Sequence, residues 1–169
     1  MSNIPRLREA TIDDSCVIAS LIRQAFHRQV ETLQIQRSEY PNYVGFDSAA
    51  RVRDRFRQGY RMLLVYFNDR PVGTVAFRAV QNDRSRGEIT RLAVLPKFRG
   101  ADIGMILMNA AEEALCCADV TTVEISIVAQ FGSLRAYYES MGYVSTVLRH
   151  FSTLPFEVQF LEKSITHQQ

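Results

Sequence analysis

Apolar positions along this chain recur with two periods, and the switches between them divide it into helical and extended segments. Val17, Ile18, Leu21, Ile22 and Phe26 repeat at helical spacing, which predicts a helix over residues 13–27 after a strand near Leu7. A polar and aromatic stretch follows, and a second helix is expected over 48–58, ended by Gly59. Residues 62–67 and 72–80 read as two strands, and Asn68-Asp69-Arg70-Pro71 between them supplies the turn of a hairpin. A polar segment, 81–86, is expected as another turn. Ile89, Leu92 and Val94 suit a buried strand that stops near Leu95, because Pro96 cannot donate to a ladder. Ile106, Leu107, Ala110, Ala111, Ala114 and Leu115 then give a helix over 105–118. A strand over 122–128, a helix over 132–141 stopped by Gly142, and strands over 143–150 and 156–163 complete the order β-α-α-β-β-β-α-β-α-β-β. That order is mixed α/β, without an internal repeat or a dividing linker.

The junction between the strand ending near Leu95 and the helix from Met105 carries the most chemistry. It holds Lys97, Arg99, Gly100 and Gly104. The first amides of a helix lack internal acceptors, and with the positive end of the helix dipole they form an anion site that glycines let a ligand approach. A plain basic turn fits the same residues.

Arg99-Gly100-Ala101-Asp102-Ile103-Gly104 resembles the cofactor loop of the GNAT superfamily of acyl-CoA-dependent N-acyltransferases: Arg or Gln, two residues, Gly, one residue, Gly or Ala. Two further segments are similar to that family in order and spacing. Leu7-Arg8-Glu9-Ala10-Thr11, with Asp13 and Asp14 behind it, resembles the first strand and helix start, with Asp13 as N-cap. Leu134-Arg135-Ala136-Tyr137-Tyr138-Glu139-Ser140-Met141-Gly142-Tyr143 resembles the late helix and its Tyr-Glu, two residues, Gly, aromatic ending.

The resemblance implies a single domain over 1–169, with a central twisted mixed sheet flanked by helices. It also implies direct transfer of an acetyl group from acetyl-CoA to a primary amine. Tyr138 then matches the general acid near the cofactor sulfur. Glu88, six residues before Val94, matches the general base of some members, beside a plainer reading as a strand-end carboxylate next to Arg86 or Arg91. Glu124 is the reserve base. Leu92, Ala93 and Val94 would offer main-chain groups to the pantetheine arm where the sheet splays, and Arg99, Gly100, Ala101, Asp102, Ile103 and Gly104 would hold the pyrophosphate. No metal is implied. Two residues depart from the pattern. Asp102 stands where the family usually has its central glycine, and a carboxylate about 4 Å from a phosphate charge costs on the order of 1 kcal/mol in water-like surroundings and about 4 at an effective dielectric near 20. Asp also tolerates unusual backbone angles, which would turn that carboxylate to solvent. Phe131 replaces a frequent Asn seven residues before the tyrosine. These departures raise an alternative: a non-catalytic acyl-CoA sensor or interaction module.

Composition narrows the partners. The 169 residues, 47% of them hydrophobic, suffice for one domain with its own core. Twenty basic against eighteen acidic residues leave a formal charge of +2, too balanced to argue for a nucleic-acid or membrane partner. The acceptor is expected to be a small-molecule or peptide amine, and a homodimer is compatible with the chain. Neither a signal-peptide core nor a run of about 20 apolar residues is present, so a cytoplasmic protein is expected. Cys16, Cys116 and Cys117 suggest packing or surface thiols, and His27, His150 and His167 lack a triad pattern. Arg51 and Arg55 face one way on their helix and Arg53 and Arg57 another, which reads as a solvated face. Tyr40, Pro41, Tyr43 and Phe46 lie in a segment that in the resembled family often borders the acceptor site.

Overall fold

The computed structural model describes residues 4–166. Its elements are β1 (Arg6–Glu9), α1 (Ser15–Thr32), α2 (Ala49–Arg57), β2 (Arg61–Phe67), β3 (Arg70–Val80), β4 (Asp83–Val94), α3 (Ile103–Cys117), β5 (Thr122–Val128), α4 (Gly132–Ser140), β6 (Val144–His150) and β7 (Glu157–Ser164). The strands form one seven-stranded sheet in the order β1-β2-β3-β4-β5-β7-β6. The β4–β5 pair is parallel and joined through α3, as a parallel connection requires, so the sheet is mixed and the class is α/β. Among the described residues, no helix is long and apolar enough to cross a membrane.

The chain divides into two compact parts, one running to Arg78 and resuming over Arg91–Ala111, the other comprising Ala79–Thr90 and the chain from Glu112. In the first, β1 and β3 flank β2, both antiparallel to it. Asn68 and Asp69 are both left-handed, with φ of 49° and 59°, the conformation a two-residue hairpin demands and these side chains tolerate. Arg70 and Pro71, expected in the turn, therefore belong to β3. Helix α1 buries Ile18, Ala19, Leu21, Ile22 and Ala25, a stripe at helical spacing. It continues past His27 to Thr32, since no glycine or proline intervenes before left-handed Gln34. Its start corrects the assignment of Asp13 as N-cap. Asp14 precedes the helix, and its carboxylate takes the Thr11 N–H at 2.8 Å and both Nη atoms of Arg8 at 2.9 Å. The Arg8 guanidinium on β1 selects the second aspartate and holds its carboxyl below the ordinary range.

In the second part β5 pairs with β7 from Thr122↔Ser164 to Val128↔Val158. Strand β6 lies beyond β7 at the sheet edge, exposed throughout, with a register irregularity between Ser145 and Leu148. Most of the expected turn over 81–86 is strand: β4 begins at Asp83, whose Oδ1 accepts from the Ser85 N–H at 3.1 Å. A strand end exposed to water carries no apolar alternation, and that hid it.

Helix α4 ends as Gly142 predicts. Gly142 has φ of 95°, its N–H donates to Glu139 C=O at 3.0 Å, and the Tyr143 N–H donates to Tyr138 C=O at 3.2 Å. These are the two bonds of a Schellman motif, and its apolar contact is the Tyr138–Tyr143 ring pair, 6.0 Å between centroids. Gly142→Ala should destabilise the protein by about 1–2 kcal/mol, the cost of a left-handed residue with a Cβ. Urea denaturation measures it, and an unchanged midpoint would remove this motif from the account of how Tyr138 is placed.

Candidate functional site

Within the first part, the loop between β4 and α3 is built from main-chain bonds. The Leu95 N–H donates to Val72 C=O at 2.9 Å, and residues Pro96–Phe98 make a 3-10 turn in which the Phe98 N–H returns to Leu95 C=O. Gly100 is left-handed with φ of 83°, and Asp102 is left-handed with φ of 57°. Both are exposed. Asp102 thus holds a conformation for which glycine is the ordinary choice, while its carbonyl accepts the Ile106 N–H at 2.9 Å and opens α3. The amides of Ile103, Gly104 and Met105 are the first of that helix and have no helical acceptor.

Arg99 differs from a free phosphate ligand. Its Nη2 donates to Ala25 C=O in α1 at 2.6 Å and its Nε to Val94 C=O at 3.3 Å. The guanidinium ties the loop to the end of β4 and to α1. Leu92 and Val94 are half-buried and Ala93 is buried in the strand just before it.

A cluster that the sequence reading missed lies in the same part. Asp47 has a fully buried side chain, and Arg55 Nη2 donates to its Oδ2. Arg51 Nη1 lies 3.5 Å from Oδ1, Arg91 Nε lies 4.0 Å from Oδ2, and Arg23 Nη1 donates to the Asp47 carbonyl at 2.7 Å. Arg51 and Arg55 are therefore not a solvated face. Asp47, just before the Ser48 N-cap, draws them inward at four- and eight-residue spacing. Arg91 is left-handed within β4, with φ of 55°, and burial lowers its pKa to about 10, assisted by Arg55. Tyr43 is buried beside Phe46, their rings edge to face at 6.2 Å.

In the second part Tyr138 sits between two rings, 5.2 Å from Tyr137 and 6.0 Å from Tyr143. Burial raises its pKa, so the phenol keeps its proton through the neutral range. Tyr143 is fixed in turn by Glu112, which accepts from its hydroxyl at 2.7 Å and from Lys163 Nζ at 2.8 Å. Phe131 occupies the N-cap of α4, where it has no side-chain acceptor to offer. Glu88 is opposite Glu124 in the parallel ladder, and Glu124 opposite Glu162 in the antiparallel one, so the three carboxylates form one row on one face. Arg86 binds Glu162 and lies 3.6 Å from Glu124. Burial lifts the Glu124 carboxyl above its ordinary range, with Arg86 opposing. The β4–β5 ladder comprises Arg86, Gly87 and Glu88 and stops there, six residues before β4 ends.

Of the remaining candidates, His27 is exposed beside Glu31 at 3.2 Å, His150 is exposed, and His167 lies outside the described residues. Cys16 and Cys117 are exposed and Cys116 is buried, all three free.

Residues 19–143 match the family model described as the acetyltransferase (GNAT) family. Among curated proteins no sequence matches. Solved structures share the fold at low identity. The PaiA N-acetyltransferase of Thermoplasma acidophilum, in complex with coenzyme A, is 13% identical, covering 96% of this chain and 99% of its own, with a TM-score of 0.76. The ribosomal-protein-S18-alanine N-acetyltransferase of Escherichia coli is 13% identical over 98% of this chain and 97% of its own, at 0.69. An acetyltransferase of the GNAT family from Streptococcus pneumoniae is 14% identical over 96% and 99%, at 0.71.

Arg99→Ala should loosen the loop locally. Amide hydrogen exchange at Leu95, Phe98 and Ile106, whose N–H groups are bonded at the two ends of the loop, is expected to speed up at least tenfold, the loss of about 1.4 kcal/mol or more expected for two main-chain acceptors of a charged donor. Exchange rates equal to wild type would show that the loop holds its shape without those bonds.

Proposed function

This chain belongs to the acetyltransferase (GNAT) family, and we propose that it transfers an acetyl group from acetyl-CoA to a primary amine, acting as a single domain over 1–169. The observation that carries the reading is the β4–α3 junction. Two left-handed residues, Gly100 and Asp102, open a helix whose first amides lack acceptors, directly after a strand whose parallel ladder has already ended. Acetyl-CoA fits that chemistry: a pyrophosphate suits the amides of residues 100–104, and the amide-bearing pantetheine arm suits the main chain of Leu92, Ala93 and Val94. Bound there, it supplies an activated thioester carbonyl. Arg99 acts as a positioning residue that holds the loop through Ala25 and Val94.

The rest is proton management. As the amine nitrogen bonds to the acetyl carbon and the carbon–sulfur bond breaks, one proton leaves the nitrogen and one reaches the sulfur. Tyr138, kept protonated by burial, donates the second. Glu88 accepts the first, directly or through water, and Glu124 beside it in the ladder is the alternative base. The reaction belongs in the cytoplasm, a reading that three free thiols support.

Cofactor binding tests the junction. Calorimetry should detect CoA binding to wild type, and Asp102→Gly should bind it more tightly, since the change removes a negative charge and a left-handed Cβ together. Wild type that binds no CoA at millimolar ligand overturns the cofactor assignment. Weaker binding by folded Asp102→Gly would instead give the carboxylate a positive role.

Turnover tests the proton donors. Tyr138→Phe should lower kcat by about 100-fold or more while CoA affinity holds, and Tyr137→Phe should be milder. Glu88→Gln should cut the rate chiefly at lower pH, where free amine is scarce. Wild-type turnover by Tyr138→Phe would sink the general-acid role. An unchanged pH profile for Glu88→Gln, with a shifted one for Glu124→Gln, would move the base to Glu124. CoA binding without turnover across a broad amine panel would leave the sensor reading.

A further inference from the structure

The charges around Asp47 do not balance. Two guanidinium groups of α2, Arg51 and Arg55, face the one carboxylate of Asp47, which leaves one positive charge in surplus among these three. Arg55 is 7% exposed, yet its Nη1 is buried without a hydrogen-bond acceptor, while Arg51 Nη1, also buried, faces Asp47 Oδ1 at 3.5 Å, too far for a good hydrogen bond, so that both of those atoms stay unsatisfied. Charged donors removed from water without an acceptor are costly, and a carboxylate relieves that cost through paired, charge-assisted bonds. The cluster meets the surface at Arg51 and Arg91, whose side chains keep exposures of 29% and 26%, while those of Arg55 and Asp47 are buried, so a ligand reaches the inner donors only as the outer two side chains shift. Arg51 is held in place by its own bond from Nη2 to Asn42 C=O at 2.6 Å.

We propose that this cluster binds the carboxylate of the acceptor, so that the amine acetylated here belongs to an amino acid or a close relative rather than a simple alkylamine. The inference rests on the acetyl-transfer reading above. Arg91 directly precedes Leu92, and two residues along a strand span on the order of 7 Å, about the reach of a short amino acid. An acceptor whose carboxylate meets the arginines thus brings its amine toward the strand segment assigned to the thioester arm. The single positive charge left by Arg51 and Arg55 over Asp47 suits a monoanion.

The test is calorimetry with N-acetyl amino acids and their neutral amides, with and without CoA, and with inorganic phosphate as a competitor. At least one carboxylate is expected to bind about tenfold or more tighter than its amide, as a charge-assisted bond implies. Arg51→Gln should abolish that preference, Arg53→Gln should keep it, and turnover of amino acids over the matched decarboxylated amines should follow the same pattern through KM. Equal binding of acids and amides, no binding of either, phosphate outcompeting every carboxylate, or a preference that survives Arg51→Gln would each overturn the proposal. Anion preference in CoA-free protein reports on the cluster alone, and absent CoA binding reports on the earlier reading, so the two failures are separable.

Discussion

A strand inside a sheet has two edges of main-chain donors and acceptors to satisfy, and β4 engages β5 over only three residues. That short ladder is the constraint on which the functional reading depends. Buried peptide groups need partners, and a strand that stops pairing early has to find them in solvent or in a ligand. The sequence contributes to the stop. Arg91 turns left-handed within the strand, and Pro96 ends it soon after.

Around that constraint the side chains act largely through main-chain carbonyls. Arg99 reaches Ala25 and Val94, Arg23 reaches Asp47, and Arg51 reaches Asn42. A guanidinium that donates to several carbonyls fixes loops that have no ladder of their own, and its planar fork makes lysine a poor substitute. Tyr138 is placed differently. A glycine-capped helix end sets its backbone, and Tyr143, fixed by Glu112, sets its ring.

Most elements were legible because their signals are local. Periodicity gave the α1 and α3 stripes, Asn68-Asp69 gave a hairpin, and Gly142 gave the end of α4 beside Tyr138. What escaped was decided at a distance. Asp14 prevailed over Asp13 through Arg8 on β1, and Arg51 and Arg55 turned inward because Asp47 is buried between them. The Arg99 bond to Ala25 spans 74 residues of sequence, beyond any short motif. Glu88 and Glu124 share a face only through the ladder register, which alternation within a single strand cannot supply.

The register irregularity in β6 bears on how this protein behaves in concentrated solution. An edge strand with Val144 at 67% and Leu148 at 50% exposure would normally offer another chain a continuous row of peptide groups beside an apolar surface. The irregularity lies in the pairing of β6 with β7, between Ser145 and Leu148, and an irregularity of that kind bends and twists the strand at its middle. A strand bent in this way, with Arg149 near its end, is a poorer template for another chain than a straight one, one of the means by which an uncovered sheet edge discourages pairing.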